Sequence, residues 1–129
     1  MLKVTFAESI AKNRAKREKR MKPRYLLRRV RPVPREAVWG KPFWGVYFIQ
    51  AGEDGPIKIG GARNIHKRRS QMQIGNHLPL IIRGYIKEEG YEEEAEKTLH
   101  RHFSSHRIRG EWFEPCEELI SLWERWNEA

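Results

Sequence analysis

The segment Trp44-Gly45-Val46-Tyr47-Phe48-Ile49-Gln50 is β-branched and aromatic almost throughout, and Ile57-Lys58-Ile59-Gly60 alternates apolar with polar. Between them lies Glu53-Asp54-Gly55-Pro56, a run of residues that favour turns. Two strand-prone runs joined by so short a turn-forming stretch have one economical arrangement, an antiparallel hairpin, and the rest of the chain must cover its faces. Gly60 and Gly61 end the second strand, and Asn64 is placed to cap a helix through Ile65, Arg68, Arg69 and Met72 that stops at Gly75-Asn76. Leu80-Ile81-Ile82-Arg83-Gly84-Tyr85-Ile86 reads as a third strand. A helix follows from about Tyr91 to His106, with Glu92, Glu93 and Glu94 early and Lys97, Arg101 and His106 late, the charge order a helix dipole favours. Gly110-Glu111-Trp112-Phe113 is a short extended piece. After Pro115, Leu119, Leu122, Trp123 and Trp126 share one face of a last helix. The expected fold is α/β, a small, mostly antiparallel three-stranded sheet flanked by helices.

The N-terminal third is built differently. Up to Trp44 there are 14 Lys/Arg and 3 Glu, a net charge of +11, whereas from Gly45 onward 12 Lys/Arg face 14 Asp/Glu, a net of −2. Such asymmetry points to a polyanionic partner, because each phosphate neutralised by Lys or Arg releases condensed counterions. The plainer alternative is a solubilising tail. Ser9 to Met21 is rich in helix formers and poor in large apolar residues, with Ser9 as a candidate cap. It is either a solvated helix or a disordered arm that orders on a nucleic acid. Pro23, Pro32 and Pro34 interrupt helix, and Tyr25-Leu26-Leu27-Arg28-Arg29-Val30 between them reads as a short strand or extended anchor. Pro42 closes the linker. The expected division is a basic N-terminal arm and proline-containing linker, 1–42, and a globular domain, 43–129. Lys12, Arg14, Lys16, Arg17, Lys19, Arg20, Arg28 and Arg29, joined by Arg69 of the domain, are the candidate nucleic-acid contacts.

Composition excludes several classes. A domain this size buries about 60% of its unfolded surface, enough to fold alone. No apolar run reaches the ~18 residues of a membrane span, and no apolar stretch of a secretory signal follows the basic N-terminus. Cys116 is the only cysteine among the 129 residues, so neither an internal disulfide nor a zinc knuckle can form, and with five scattered histidines no closed zinc pattern arises. A reducing, cytoplasmic setting is expected, in a bacterial cell or phage-infected host and associated with the nucleoid.

Gly45-Val46-Tyr47, followed on the next strand by Lys58-Ile59-Gly60, resembles the GIY…YIG signature of the GIY-YIG nuclease superfamily, with Lys in place of the second Tyr. Arg68 falls eight residues after Gly60 on the first helix, where that family carries an Arg, and Glu96 lies on the later helix, where it carries a metal-binding Glu. Glu96-Lys97-Thr98-Leu99-His100, with Gly110-Glu111-Trp112-Phe113, resembles the branch in which Lys-Ile-Gly is usual. The match runs from about Gly45 to Phe113, and the arm lies outside it. One tripeptide alone is a weak signal; the ordered set with its spacing is strong. The resemblance implies a DNA endonuclease that hydrolyses phosphodiesters with one divalent cation, Mg²⁺ or alternatively Mn²⁺, and with no small-molecule cofactor.

The residue types suit that chemistry. Hydrolysis of a phosphodiester requires an activated water, neutralised phosphoryl oxygens and a stabilised leaving oxygen. Magnesium keeps several waters, so one carboxylate, Glu96, can suffice as its protein ligand. Tyr47 would orient or deprotonate the water, and with an ordinary pKa of about 10 it needs cationic neighbours, for which Lys58 and Arg68 are the candidates. Arg68 would also donate to non-bridging oxygens, which the planar guanidinium suits better than an ammonium. Singly, each has a plain structural reading: a half-buried sheet tyrosine, a solvent-side strand lysine, surface charges beside Lys67 and Arg69. His100, one helical turn after Glu96, is a candidate phosphate contact, leaving-group acid or partner of the metal site, or else a polar residue hydrogen-bonded under the sheet. Trp112 and Phe113 read as core or site-wall aromatics rather than base-stacking platforms. The expected partner is DNA, bound by a monomer or a transient dimer. The alternatives are a catalytically inactive DNA-binding module of the same fold, or an RNA-directed nuclease.

Overall fold

A computed structural model describes residues 5–33 and 44–127. Among them an antiparallel six-stranded sheet runs in the order β1-β4-β2-β3-β6-β5. Its strands are β1 (Arg31–Pro32), β2 (Gly45–Ala51), β3 (Ile57–Ala62), β4 (Leu80–Ile86), β5 (Arg107–Arg109) and β6 (Trp112–Phe113). The hairpin expected from the sequence is its centre. β2 is buried along its whole length and pairs with β3 through Tyr47↔Gly60 and Ile49↔Lys58, and with β4 through Tyr47↔Tyr85. At the turn the Ala51 amide donates to the Pro56 carbonyl at 2.9 Å. Buried Gln50 satisfies both ends of its amide, donating to the Gly55 carbonyl at 3.0 Å and accepting from Arg83 at 2.8 Å.

Alternation along β2 divides the interior. Val46 and Phe48 face one way, with Ile57 and Ile59, onto a core completed by α4 (Glu92–His102) and α5 (Glu117–Glu124). Tyr47, Ile49 and Ala51 face the other way, onto Ile65 of α3 (Ile65–Ile74) and onto Leu80 and Ile82. Asn64 caps α3 by accepting from the Lys67 amide at 3.0 Å, and Gly75 ends it. The architecture is thus α/β, as expected, with helices on both faces. The strand count is higher than three because β1, β5 and β6 are two or three residues long, too short to leave a period in the sequence.

The N-terminal segment departs further from expectation. Residues 25–30 are neither strand nor extended anchor: α2 (Pro23–Arg28) is a helix, and Pro23 begins it. In the first turn the missing proline amide costs nothing, and its fixed φ suits a helix, so this proline starts a helix rather than breaking one. Leu26 and Val30 are fully buried in the larger core, which therefore draws residues from before as well as after position 42. β1 then pairs Arg31 with Tyr85 and Pro32 with Gly84. α1 (Phe6–Arg20) is capped by Thr5 rather than Ser9: the Glu8 amide donates to the Thr5 hydroxyl, and the Glu8 carboxylate accepts from the Thr5 amide, each at 3.1 Å. Pro34, Pro42 and Phe43 lie outside the described residues.

Two corrections concern the C-terminal half. α4 stops at His102, and a 3-10 turn (Ser104–His106) carries the chain onward. Trp126 does not continue the buried face of α5; it sits in a second 3-10 turn (Arg125–Asn127), where its indole donates to the Val30 carbonyl at 3.1 Å. Arg125 donates to the Leu27 carbonyl at 2.9 Å, so the end of the chain ties down the carbonyls that α2 leaves open. Among the described residues no helix is long and apolar enough to cross a membrane.

Because Leu26 is packed into the core, Leu26→Ala should destabilise the protein by about 2–5 kcal/mol in denaturant unfolding. An unchanged midpoint would show that α2 lies outside the folding unit.

Candidate active site

The site is organised by two residues with no side chain. A Cβ placed on Gly60 would lie 2.5 Å from the Tyr47 hydroxyl oxygen and 2.6 Å from its Cζ, while one on Gly61 would lie 3.0 Å from Glu96 Oε2. Adjacent strand residues face opposite sides, so the phenol and the carboxylate reach β3 at neighbouring positions from the two faces of the sheet. β6 pairs only with Ile57 and Lys58. The Ile59 amide still donates to the Glu111 carbonyl at 3.0 Å; beyond Ile59 the outer edge of β3 is left without a paired strand among the described residues, and groups from both faces meet there.

On the α3 side, Tyr47 is almost wholly buried, with its hydroxyl 3.9 Å from Met72 Sδ. Burial raises the phenol above its ordinary pKa; a hydrogen bond from the Arg68 guanidinium opposes the rise, and the Glu111 and Glu96 carboxylates reinforce it. The tyrosine is therefore a neutral hydroxyl at physiological pH. Arg68 is one turn into α3, where the Asn64 cap fixes the helix start and its own amide donates to the Asn64 carbonyl at 3.0 Å. Lys58, opposite Ile49 in the hairpin, extends to within 3.7 Å of Glu111 Oε2.

On the α4 side, the Glu96 carboxyl is pushed up to about 7. Burial is the largest cause, followed by a hydrogen bond with Glu111, repulsion from Glu111 and repulsion from Glu93; Lys58 partly offsets them. His100 Nε2 lies 2.7 Å from the Ile59 carbonyl and 3.8 Å from Glu96 Oε1. A carbonyl only accepts, so Nε2 carries the proton and donates. His100 thus takes the structural part of its expected roles, tying α4 to β3 at the buried Ile59, while standing next to Glu96.

The five residues singled out as catalytic candidates, Tyr47, Lys58, Arg68, Glu96 and His100, are therefore brought to one place. Sequence reasoning passed over a sixth, Glu111. Its signal was its position in Gly110-Glu111-Trp112-Phe113, but nothing in the order of residues says that β6 returns beside Lys58. Glu96, His100 and Glu111 each present a possible ligand atom, all within 4.8 Å of one another. Since His100 Nε2 is engaged by the backbone, the fitting donors are the carboxylate oxygens, which suit a hard cation such as Mg²⁺. Two carboxylates this close, one of them held half-protonated near neutrality, are what a divalent cation would relieve.

The candidate nucleic-acid contacts separate into two groups. Arg17 is ion-paired with Glu94, Arg20 Nε lies 3.3 Å from Glu88 Oε1, and Arg29 Nε lies 3.8 Å from Glu88 Oε2. Lys12, Arg14, Lys16 and Lys19 are exposed on α1, which buries none of its residues, and Arg28 is exposed on α2. Arg69 on α3 donates to the Ser70 hydroxyl at 3.2 Å.

Both the glycines and the raised carboxyl have measurable consequences. Gly60→Ala forces a methyl into the Tyr47 ring and should cost about 1–3 kcal/mol in unfolding, whereas Gly61→Ala meets only a mobile carboxylate end and should cost less. Glu96 has a folded pKa above its unfolded value, so the stability it contributes is full below pH 4.5 and is lost as pH rises through about 7. Without divalent ions, Glu96→Gln should thus gain on the wild type in thermal melting between pH 5 and pH 8; a gap that does not change with pH contradicts the assignment.

Comparison with curated proteins and with solved structures gave no match. A family model, the T5orf172 domain, matches residues 45–127, from the first residue of β2 to the turn after α5, and so spans every residue of the site. The chain belongs to the T5orf172 domain family.

Proposed function

We propose that the chain is a DNA endonuclease of the GIY-YIG type, hydrolysing phosphodiester bonds with one divalent cation, Mg²⁺ or in its place Mn²⁺. The observation that carries this reading is the convergence of Tyr47, Lys58, Arg68, Glu96 and Glu111 on the bare Gly60-Gly61 segment of β3. The T5orf172 domain is associated with GIY-YIG-like nucleases, which supports the same class.

Glu96 and Glu111 would hold the cation, which when bound neutralises charge on the phosphoryl and leaving oxygens. Burial keeps the Tyr47 phenol protonated, so its oxygen serves by accepting a hydrogen bond from the attacking water. Arg68, which donates to that oxygen, fixes its orientation and presents its remaining donors to the non-bridging oxygens, where negative charge develops as the water attacks phosphorus and releases its proton to solvent. Lys58 fixes Glu111 through their ion pair and adds positive charge. His100 holds α4 against β3, so that Glu96 keeps its place over Gly61. One such site cuts one strand per encounter; a double-strand break would need a second chain or repositioning.

In this reading residues 1–42 supply the basic arm and, through Leu26 and Val30, part of the core of the nuclease domain that residues 43–129 form. With Arg17, Arg20 and Arg29 held in ion pairs, the phosphate contacts of the arm fall to Lys12, Arg14, Lys16, Lys19 and Arg28. These contacts are sequence-independent and weaken with salt.

Incubation with supercoiled plasmid should yield nicked circles in Mg²⁺ or Mn²⁺ and none in EDTA, with Glu96→Ala inactive. Arg68→Ala should lose roughly 10²–10³-fold in rate, and Arg68→Lys should recover little of it. Plasmid left intact by the wild type in both ions would leave a binding module of the same fold. Labelled RNA cut faster than DNA would move the substrate to RNA.

A further inference from the structure

The outermost strand of the sheet, β5, is Arg107-Ile108-Arg109, and all three residues are exposed. Ile108 is 52% exposed, which makes it one of the few large apolar residues left in water. Charged side chains on an edge strand ordinarily block edge-to-edge pairing, and Arg107 and Arg109 would do that by themselves. That role gives no reason to hold an isoleucine in solvent between them. The pairing is also irregular: Arg107 aligns with Phe113 and Arg109 with Trp112, so two residues of β5 advance against one of β6. Such a bulge twists an edge strand and re-aims its side chains, and bulges concentrate beside active sites.

The hairpin is firm at its base. Phe113 is fully buried, Trp112 pairs with Lys58, the Glu114 amide donates to the His106 carbonyl at 2.8 Å, and the Arg107 guanidinium lies 5.6 Å from the centre of the Phe113 ring. Its tip turns at Gly110, with φ at +56°, directly before Glu111. Neither arginine has a carboxylate partner among the described residues, because the neighbouring Glu111 is directed to Lys58.

We infer that the β5–β6 hairpin is a groove-reading element, in which Arg107, Ile108 and Arg109 contact base edges of duplex DNA beside the phosphate held at the site. This rests on the nuclease reading above and deepens it by naming what selects the scissile position. Since β6 is held between β3 and β5, it is the outer edge formed by β5 and the Gly110 tip that would enter the major groove of B-form DNA, about 12 Å wide. There arginine can pair with guanine, and an apolar side chain can cover a thymine methyl. The major groove of A-form RNA is too narrow to admit it, so the same surface disfavours an RNA duplex. Because the tip leads straight into Glu111, the register of the ribbon in the groove fixes which phosphate reaches Glu96 and Glu111.

The test uses the full chain in EDTA, with a randomised DNA duplex pool to determine sequence preference and fluorescence anisotropy across a salt series to determine affinity. Wild type should select a preferred sequence. Arg107→Ala/Arg109→Ala should flatten that preference and weaken binding to the selected duplex by about tenfold or more. Ile108→Ala should alter the preference with little change in salt slope. Ile108→Ala and the single variant Arg109→Ala should melt with the wild type, and Arg109→Ala alone should already flatten the preference, whereas Arg107→Ala also gives up its contact with the Phe113 ring. A wild type without sequence preference, variants that keep it, or an equal loss on an RNA duplex of the same sequence each overturns the inference. So does a uniform loss on every DNA sequence, accompanied only by a shallower salt slope, which would assign the arginines to phosphates. Wild type that selects a sequence but leaves it uncut when Mg²⁺ is restored overturns the nuclease reading and leaves the ribbon standing.

Discussion

The close approach of two side chains to bare backbone at Gly60 and Gly61 is the constraint on which the site depends. Tyr47 belongs to one face of the sheet and Glu96 to a helix on the other, and a sheet of ordinary residues would keep them apart by the thickness of its own side chains. Two consecutive glycines remove that thickness where it matters, and the early end of β6 opens the strand edge beside them. The helices are then placed to suit. α3 is fixed at its start by Asn64 and brings Arg68 over the phenol, and α4 is tied to β3 by His100.

Electrostatics follows from this crowding. A phenol buried under α3 stays neutral, and a carboxyl buried beside another carboxylate holds its proton to near neutrality. Lys58 and Arg68 moderate these effects without cancelling them, since burial comes first among the causes in both cases. The site thus crowds two carboxylates together so closely that one of them keeps its proton to near neutrality, within a chain whose net charge is +9. In the proposed reading the basic arm would gather a polyanion, and the paired carboxylates would hold a divalent cation.

The N-terminal segment shows how packing can reassign residues that look like a tail. Glu88 is buried, with one carboxylate oxygen lacking a hydrogen bond, and Arg20 and Arg29 from α1 and the end of α2 flank it. A buried carboxylate needs cationic neighbours, so these contacts hold the basic helix against the domain at the start of α4. Arg20 also lies 5.4 Å from the centre of the Tyr91 ring, next to the Arg17–Glu94 pair. Three arginines that composition assigns to a polyanion thus serve in docking the helix that presents the others.

The β2–β3 hairpin, the third strand and the Asn64 cap were legible because each depends on local chemistry: alternation, turn residues and a side chain bonding to an amide three residues on. The positions of Tyr47, Lys58, Arg68, Glu96 and His100 were legible as an ordered motif. What escaped were contacts between segments far apart in the chain. Leu26 and Val30 read as linker because nothing near them in sequence announces the core they enter. Pro23 read as a break because a proline ends one helix or begins another according to where the next residues pack. Glu111 could not be assigned until β6 was seen beside Lys58. Sequence by itself determined the central hairpin, the third strand, the helices that follow them and the inventory of reactive groups, since these arise from interactions a few residues long. Tertiary structure alone decided which groups share charge, which cations are already engaged and which edge stays open, because those depend on distances that only the folded chain sets.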